Sequence, residues 1–405
     1  MTEIKPTSQR EFVAMMAMLF AGIALSIDAM LPALPAIAAE LTPHAVNRAQ
    51  LVIGLFFAGI GVGTLIAGPV SDAIGRKTTL MICAATFLVG AALSAVAPSL
   101  EMLLAARFLQ GLGASGPRSV GMAMVRDLYK GRDMARIVSL VMMIFALVPA
   151  VAPLIGQGIL LVGNWRLIFI AFIVFGLMTN LWMALRQPET LPPDARRKLT
   201  LALLTGAGRE MFRHRITLIS ILCQSLSSAC LVATLSSQQG IFEQRFDRAA
   251  SFPTWFAVIA LCSILGSFAN ARLVVRIGMR SMVQWTYGGQ LALTALVLGL
   301  NLTDALPEAL VFPLHILWSI GIFAMMGLTM GNLNAMVMEE LGHIAGFAAS
   351  IIVALSTVLS VVLAIPVGLA FAGTHIPLMT GVLVFMTLAL LLMRLVRKPA
   401  ESGQE

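Results

Sequence analysis

Several stretches of this chain run for about 20 residues or more without one Asp, Glu, Lys or Arg. They include Thr79–Ala97, Ile137–Gly163, Leu167–Leu185, Ile216–Phe242, Ser281–Thr303 and Ile344–Thr374. A backbone that crosses a bilayer must satisfy its own N–H and C=O groups, and about 20 apolar residues in a helix reach across. Only 11% of the 405 residues are charged and 59% are hydrophobic. Soluble domains carry roughly a quarter charged residues. This composition excludes a cytosolic enzyme, a nucleic-acid binder and a disulfide scaffold.

The apolar pattern predicts about twelve spans, near 12–39, 48–70, 78–97, 101–126, 134–161, 166–186, 214–240, 251–274, 281–301, 308–332, 343–372 and 376–396. The first run is too long for the apolar core of a cleavable signal and reads as the first membrane helix. The hydrophilic stretch Arg186–Arg215 holds Pro188, Pro192, Pro193 and the basic run Arg196-Arg197-Lys198. It separates an N-terminal six-helix half (1–186), a linker (187–213) and a C-terminal six-helix half (214–405).

Net charge is +8. With the N-terminus inside, most Lys and Arg fall on the cytoplasmic side. Arg48, Arg166, Arg245 and Arg248 lie outside, and Arg107 and Arg118 lie within a span. This bias puts both termini in the cytoplasm. The basic turns Gly75-Arg76-Lys77 and Gly278-Met279-Arg280 stand six spans apart, a weak internal repeat. Cys83, Cys223, Cys230 and Cys262 lie in apolar runs without metal spacing and read as packing residues. The five histidines are scattered. No His-Glu-x-x-His, Cys-x-x-Cys or Gly-x-x-x-x-Gly-Lys-Ser/Thr segment appears, so neither an enzyme nor an ATP-driven pump is expected. No cofactor is expected, and no metal site.

Gly68-Pro69-Val70-Ser71-Asp72-Ala73-Ile74-Gly75-Arg76-Lys77 resembles the loop 2–3 signature of the major facilitator superfamily. Arg107-Phe108-Leu109-Gln110-Gly111 is similar to a motif of its proton-coupled drug exporters. Ala152-Pro153-Leu154-Ile155-Gly156-Gln157 departs from the exporter signature, which has Gly-Pro and a paired Gly there. Asn270-Ala271-Arg272-Leu273, Gly331-Asn332-Leu333-Asn334 and Glu339-Glu340-Leu341-Gly342-His343-Ile344-Ala345-Gly346 resemble the bicyclomycin/chloramphenicol-resistance (Bcr/CflA) exporters. The resemblance covers the whole chain. It implies an all-α membrane protein of the major facilitator fold, with twelve transmembrane helices in two pseudo-symmetric halves around a central cavity. It also implies a monomer in a bacterial inner membrane that exports small molecules against protons, drawing on the proton gradient. Its partners would be substrate, protons and lipid, not nucleic acid.

Few charges remain in the spans, and such groups are functional by default because they are costly in hydrocarbon. Asp28 sits well inside span one and is the candidate proton carrier. Arg107 lies roughly 28 Å and Arg118 roughly 12 Å from the cytoplasmic end of span four, and Asp28 roughly 25 Å from the start of span one. Arg107 is therefore expected to tune Asp28, or else to bond backbone carbonyls of neighbouring helices. Arg118 follows Gly116-Pro117; it either contacts substrate or snorkels to the interface. Met122, Met142, Met143 and Phe145 offer an adaptable apolar surface. Gln224, Ser227 and Ser228 form a polar stripe that lines the cavity or bonds helix to helix; Gln224 and Ser228, with Asp28 and Arg118, complete the candidate substrate site. By resemblance Asp72, Arg76 and Asp127, with Gly68 and Lys77, would latch helix ends when the cytoplasmic side is shut. The expected activity is proton-coupled antiport of drug-like or amphiphilic compounds. The alternative is a dedicated exporter of an anionic metabolite with Arg118 on the substrate.

Overall fold

A computed structural model describes residues 7–196, 210–341 and 345–396. Arg197, Lys198 and the Gly342-His343-Ile344 segment lie outside the described residues, as do Lys5, Arg209, Arg397 and Lys398. The first six crossings comprise α1 (Gln9–Asp28) continued by α2 (Leu34–Leu41), α3 (Leu51–Ile74), α4 (Arg76–Ala95), α5 (Leu100–Gly116) continued by α6 (Met122–Leu128), α7 (Gly131–Val162) and α8 (Arg166–Arg186). Six more follow: α9 (Arg215–Gln244), α10 (Phe252–Ile277), α11 (Met279–Leu302), α12 (Glu308–Glu340), α13 (Ala345–Leu369) and α14 (Ile376–Arg394). Ten crossings are long and apolar enough to span a membrane by length and composition alone. The other two are α5–α6, which carries both arginines and a backbone interruption, and α11, which buries Gln290 and Thr294.

The packing repeats. α1 packs on α7 and α8, as α9 packs on α13 and α14. α3 and α4 both pack on α5, as α10 and α11 both pack on α12. α4 meets α8 as α11 meets α14. Each contact therefore recurs six crossings later, giving two pseudo-symmetric halves. Between the halves α3 lies along α13, and α7 along α10.

Glycines set how closely these helices approach. Gly59 and Gly111 bring α3 and α5 together: a Cβ on Gly59 would reach the Phe108 carbonyl, with the Gly111 Cα at 2.9 Å. Gly61 faces Val358 and the Ala354 carbonyl of α13 in the other half. Close approach thus belongs to Gly59, Gly61 and Gly63. Gly68, grouped with the latch residues by resemblance, has open space where a Cβ would stand.

The two faces of the bundle differ. Thr7 donates to the Arg186 carbonyl, so the start of α1 and the end of α8 share one face; six further crossings return the end of α14, where Met393 accepts from Gln284, to that same face, here the terminal face. At the opposite, far face, a single apolar core draws on both halves, from Ile27, Leu31, Phe56 and Trp165 to Phe242, Phe252 and Phe312. Cross-half hydrogen bonds also gather there. Asn47 donates to the Leu369 and Phe371 carbonyls, Ser237 to Gln50, and Gln157 to the Ala250 carbonyl. Toward the terminal face the cores are separate: one holds Phe12, Leu80, Val125 and Met183, the other Met211, Ile221, Val337 and Ile352. The described residues therefore form a bundle sealed at the far face and parted at the terminal face.

Candidate functional site

Asp28 is the last residue of α1, and the helix stops there for a local reason. Pro32 has no N–H for the Asp28 carbonyl, and Pro35 has none for Leu31. The chain turns through a short 3₁₀ segment, Leu31–Ala33, before α2 resumes. This break rests against α9 of the other half. On the opposite flank Gly156 of α7 touches the Ala29 carbonyl; no Cβ fits between them. Gly156 thus lets α7 lie directly against this break. Asp28 is 5% exposed, and its carboxylate has no hydrogen bond or ion pair among the described residues. Six helical residues turn about 600°, so Asp28 lies about 120° around α1 from Gly22, which packs on Phe175 of the outer helix α8.

Arg107 is fully buried. Its guanidinium donates to the carbonyls of Ser26 on α1 (3.0 Å) and Val52 on α3 (3.3 Å), and to Gln110 (2.8 Å). It stacks over Phe56 at 4.2 Å. The structure brings it to the backbone two residues from Asp28, but the two make no ion pair. Of the two sequence-based expectations, the geometry has the backbone-carbonyl contact. The freed carbonyl-rich end of α1 and the planar five-donor fork of arginine explain why.

Arg118 lies in a π turn, Pro117–Gly121, between α5 and α6. Such turns follow from a missing donor, here that of Pro117, and often mark functional positions. Ser115 and Ser119 hydroxyls bond the carbonyls of Leu112 and Ser115 across the irregularity. Arg118 is exposed, with no ion pair or hydrogen bond among the described residues. Eleven residues is close to three turns, so Arg118 shares the α5–α6 face of Arg107, about 16 Å nearer the terminal face. That face lies between Gly111, which meets α3, and Gly121, which meets Met16 and Phe20 of α1.

The other expected site residues divide. Met122 is half-buried one turn beyond Arg118. Phe145 packs edge-on to Phe20, 6.1 Å between centroids. Met142 and Met143 are exposed, with Met143 turned to the opposite side of α7 from Phe145. Gln224 is buried and donates to Asn334 of α12, and Ser227 bonds Tyr287 of α11. The polar stripe therefore joins helices at these two residues, while Ser228 stays half-buried with no hydrogen bond among the described residues.

The latch residues assemble at the terminal face. Arg76 donates to Asp72, to Ser71 at 2.6 Å and to Asp127 at 3.0 Å. All belong to the first half, and the cluster is complete while this face is parted. Sequence reasoning missed its other member. Glu189 of the linker accepts from the backbone N–H groups of Arg76 (2.8 Å) and Lys77 (3.2 Å), capping α4, and Thr190 reaches Asp127. Lys77 takes part through its backbone. The signal was the acid just after span six, in Pro188-Glu189-Thr190.

Comparison with known proteins places these features. The Major Facilitator Superfamily pattern matches residues 14–365. An MFS-type transporter of Bacillus subtilis, YdgK, is 30% identical over 90% of this chain and 89% of its own. Multidrug resistance protein MdtL of Shewanella oneidensis is 28% identical over 65% of each chain. A bicyclomycin resistance protein homolog of Haemophilus influenzae is 27% identical over 67% of this chain and 70% of its own. Among solved structures, a D-xylose–proton symporter superposes with a TM-score of 0.74 at 14% identity, covering 94% of this chain and 97% of that one. This last likeness concerns the fold.

Proposed function

The chain belongs to the Major Facilitator Superfamily, and we propose that this membrane transporter is a proton-coupled antiporter of the Bcr/CflA type that exports small drug-like or amphiphilic compounds. The observation that carries the reading is Asp28, a buried carboxylate without a partner at the break of the first crossing, pressed between the halves. When the bundle seals at the far face this carboxylate is dry. When the halves part there it meets water and can load a proton. Parting at the terminal face then admits substrate toward Arg118. Asp28 and substrate thus take turns at one internal space, which is the logic of antiport. Arg107 fixes the backbone beside Asp28 and so positions it. The relatives named for multidrug and bicyclomycin resistance support efflux of drugs. In this reading the terminal face is cytoplasmic, each half moves as a unit about the linker 187–213, and the protein works as a monomer in a bacterial inner membrane.

The experiment is transport into inverted vesicles under an imposed pH gradient, with substrate taken from a drug panel. Asp28→Asn is expected to lose gradient-driven accumulation at least tenfold while keeping substrate exchange at zero gradient. Undiminished gradient-driven uptake in Asp28→Asn would remove the carboxylate from the mechanism. One observation favours a second reading, export of an anionic metabolite: Arg118 is exposed and unpaired. A fixed cation without a protein partner suits a substrate anion.

A further inference from the structure

His315 and His375 are 60 residues apart in sequence but meet at the far face of the second half. Their rings lie 5.8 Å apart. They are 1% and 2% exposed, and none of their four ring nitrogens has a hydrogen-bond partner. Buried polar atoms are almost always partnered, so four orphans at one place require an explanation. Aromatic rings enclose them: Phe246 stacks on His375 at 5° and Trp318 on His315 at 27°, with Phe242 beside His315. One turn along α12, Ser319 accepts from Gln238, whose carbonyl oxygen is itself unpartnered.

The pair is wired to the far-face seal. His375 ends the short loop after α13, and Phe371 in that loop accepts 2.6 Å from Asn47 of the first half. Phe371 also packs on Gly240 of α9, and Gly373 turns the loop at φ 75° against Gln244. A displacement of His375 would therefore move the carbonyl that the first half grips.

We infer that His315 and His375 are a second proton site, separate from Asp28, that binds protons from the far side and whose occupation opens the far face. The inference takes its direction from the alternating-access reading above but does not depend on Asp28. Neutral rings fit the apolar cage of the sealed state. A charged imidazolium there lacks an acceptor, and hydration through the displaced loop supplies one. The charged groups acting on the pair are few. Arg245, at the end of α9, and Glu308, at the start of α12, pair at 2.8 Å and face His375; His315 and His375 face each other. Burial pushes the His375 imidazole down to about 4, Arg245 adding to the push and Glu308 opposing it. An exposed histidine titrates near 6.5. The sealed state thus binds the proton less well than the opened one. Acid favours opening, with the effect growing as pH falls from about 6.5 toward 4.

The test places spin labels at Val46 and Asp304, on opposite halves of the far face, in a background without native cysteines, and follows their distance in nanodiscs as pH falls. The opened-to-sealed ratio is expected to rise about tenfold between pH 7.5 and 5.5. His315→Gln with His375→Gln is expected to flatten the response. Retention of the response in the histidine variant would overturn the inference and leave the antiport reading standing. Should the double variant fail to fold, nitrogen NMR of the wild-type histidines decides. Imidazoles that take up protons over the range in which the distance changes support the site. Rings that stay neutral to pH 5 while the face opens refute it.

Discussion

At the scale of single residues, the chain puts very few charges where water is scarce, and each has a distinct setting. Arg107 is held by two backbone carbonyls and a glutamine, Asp28 by nothing polar, and Arg118 stands free. Arg118 is the residue whose role a substitution can read directly. Arg118→Ala should leave uptake of neutral and cationic compounds within about twofold. For an anionic substrate it should raise KM by about tenfold or more, as loss of one charge-assisted hydrogen bond does. The measurement is KM against kcat for substrates of each charge; an equal loss for all would indicate a structural role. The sequence made these three residues visible because ionisable groups stand out in apolar runs. It did not reveal the partners, since Arg107 bonds carbonyls that every residue carries. His315 and His375 were hidden for a related reason: separated by 60 positions, they are joined only by the packing of α12 against the loop before α14.

At the scale of elements, the candidate site residues stand where helices are interrupted. Pro32 ends α1 beside Asp28, and Pro117 opens the π turn at Arg118. Both prolines could be read from the sequence as irregularities. What could not be read was the surface that receives each break, such as Gly156 against Ala29. Gly156→Ala is therefore informative. Its methyl group would collide with the Ala29 carbonyl, and relief requires α7 to move from the break. Overpacking of this kind costs about 1–3 kcal/mol. The expected result is a lower melting temperature in detergent together with a transport loss that Gly158→Ala, which has open space around it, does not show. The terminal-face cluster teaches a similar point. Asp72, Arg76 and Asp127 were legible as a motif, but Glu189 became part of it only through the path of the linker.

At the scale of the whole molecule, the fold was the most legible level. Charge-free runs, basic residues gathered on one side and a six-span repeat led to two related halves, and the packing of each helix recurs six crossings on. The state of the bundle was not legible, because the same residues must fit both arrangements of the halves. Here the far face is sealed by Asn47 on the Leu369 and Phe371 carbonyls and by a core common to both halves. Cysteines at positions 47 and 371, joined by a short crosslinker, should hold that face shut. Transport should then fall to background and recover when a cleavable crosslinker is cut. Ligand access from the terminal face should persist throughout, which equilibrium binding to the crosslinked protein would measure.

The common core has a further consequence for how the chain is made. Leu31, Phe56 and Trp165 of the first half complete their packing only against Phe242, Phe252 and Phe312, which leave the ribosome later. Until then the first half must shelter that surface in lipid. Once the second half arrives, it is this buried surface, rather than the peptide joining the halves, that holds them together. Two fragments divided within residues 197–209 and synthesised in one cell should thus find each other in the membrane and reconstitute a working transporter.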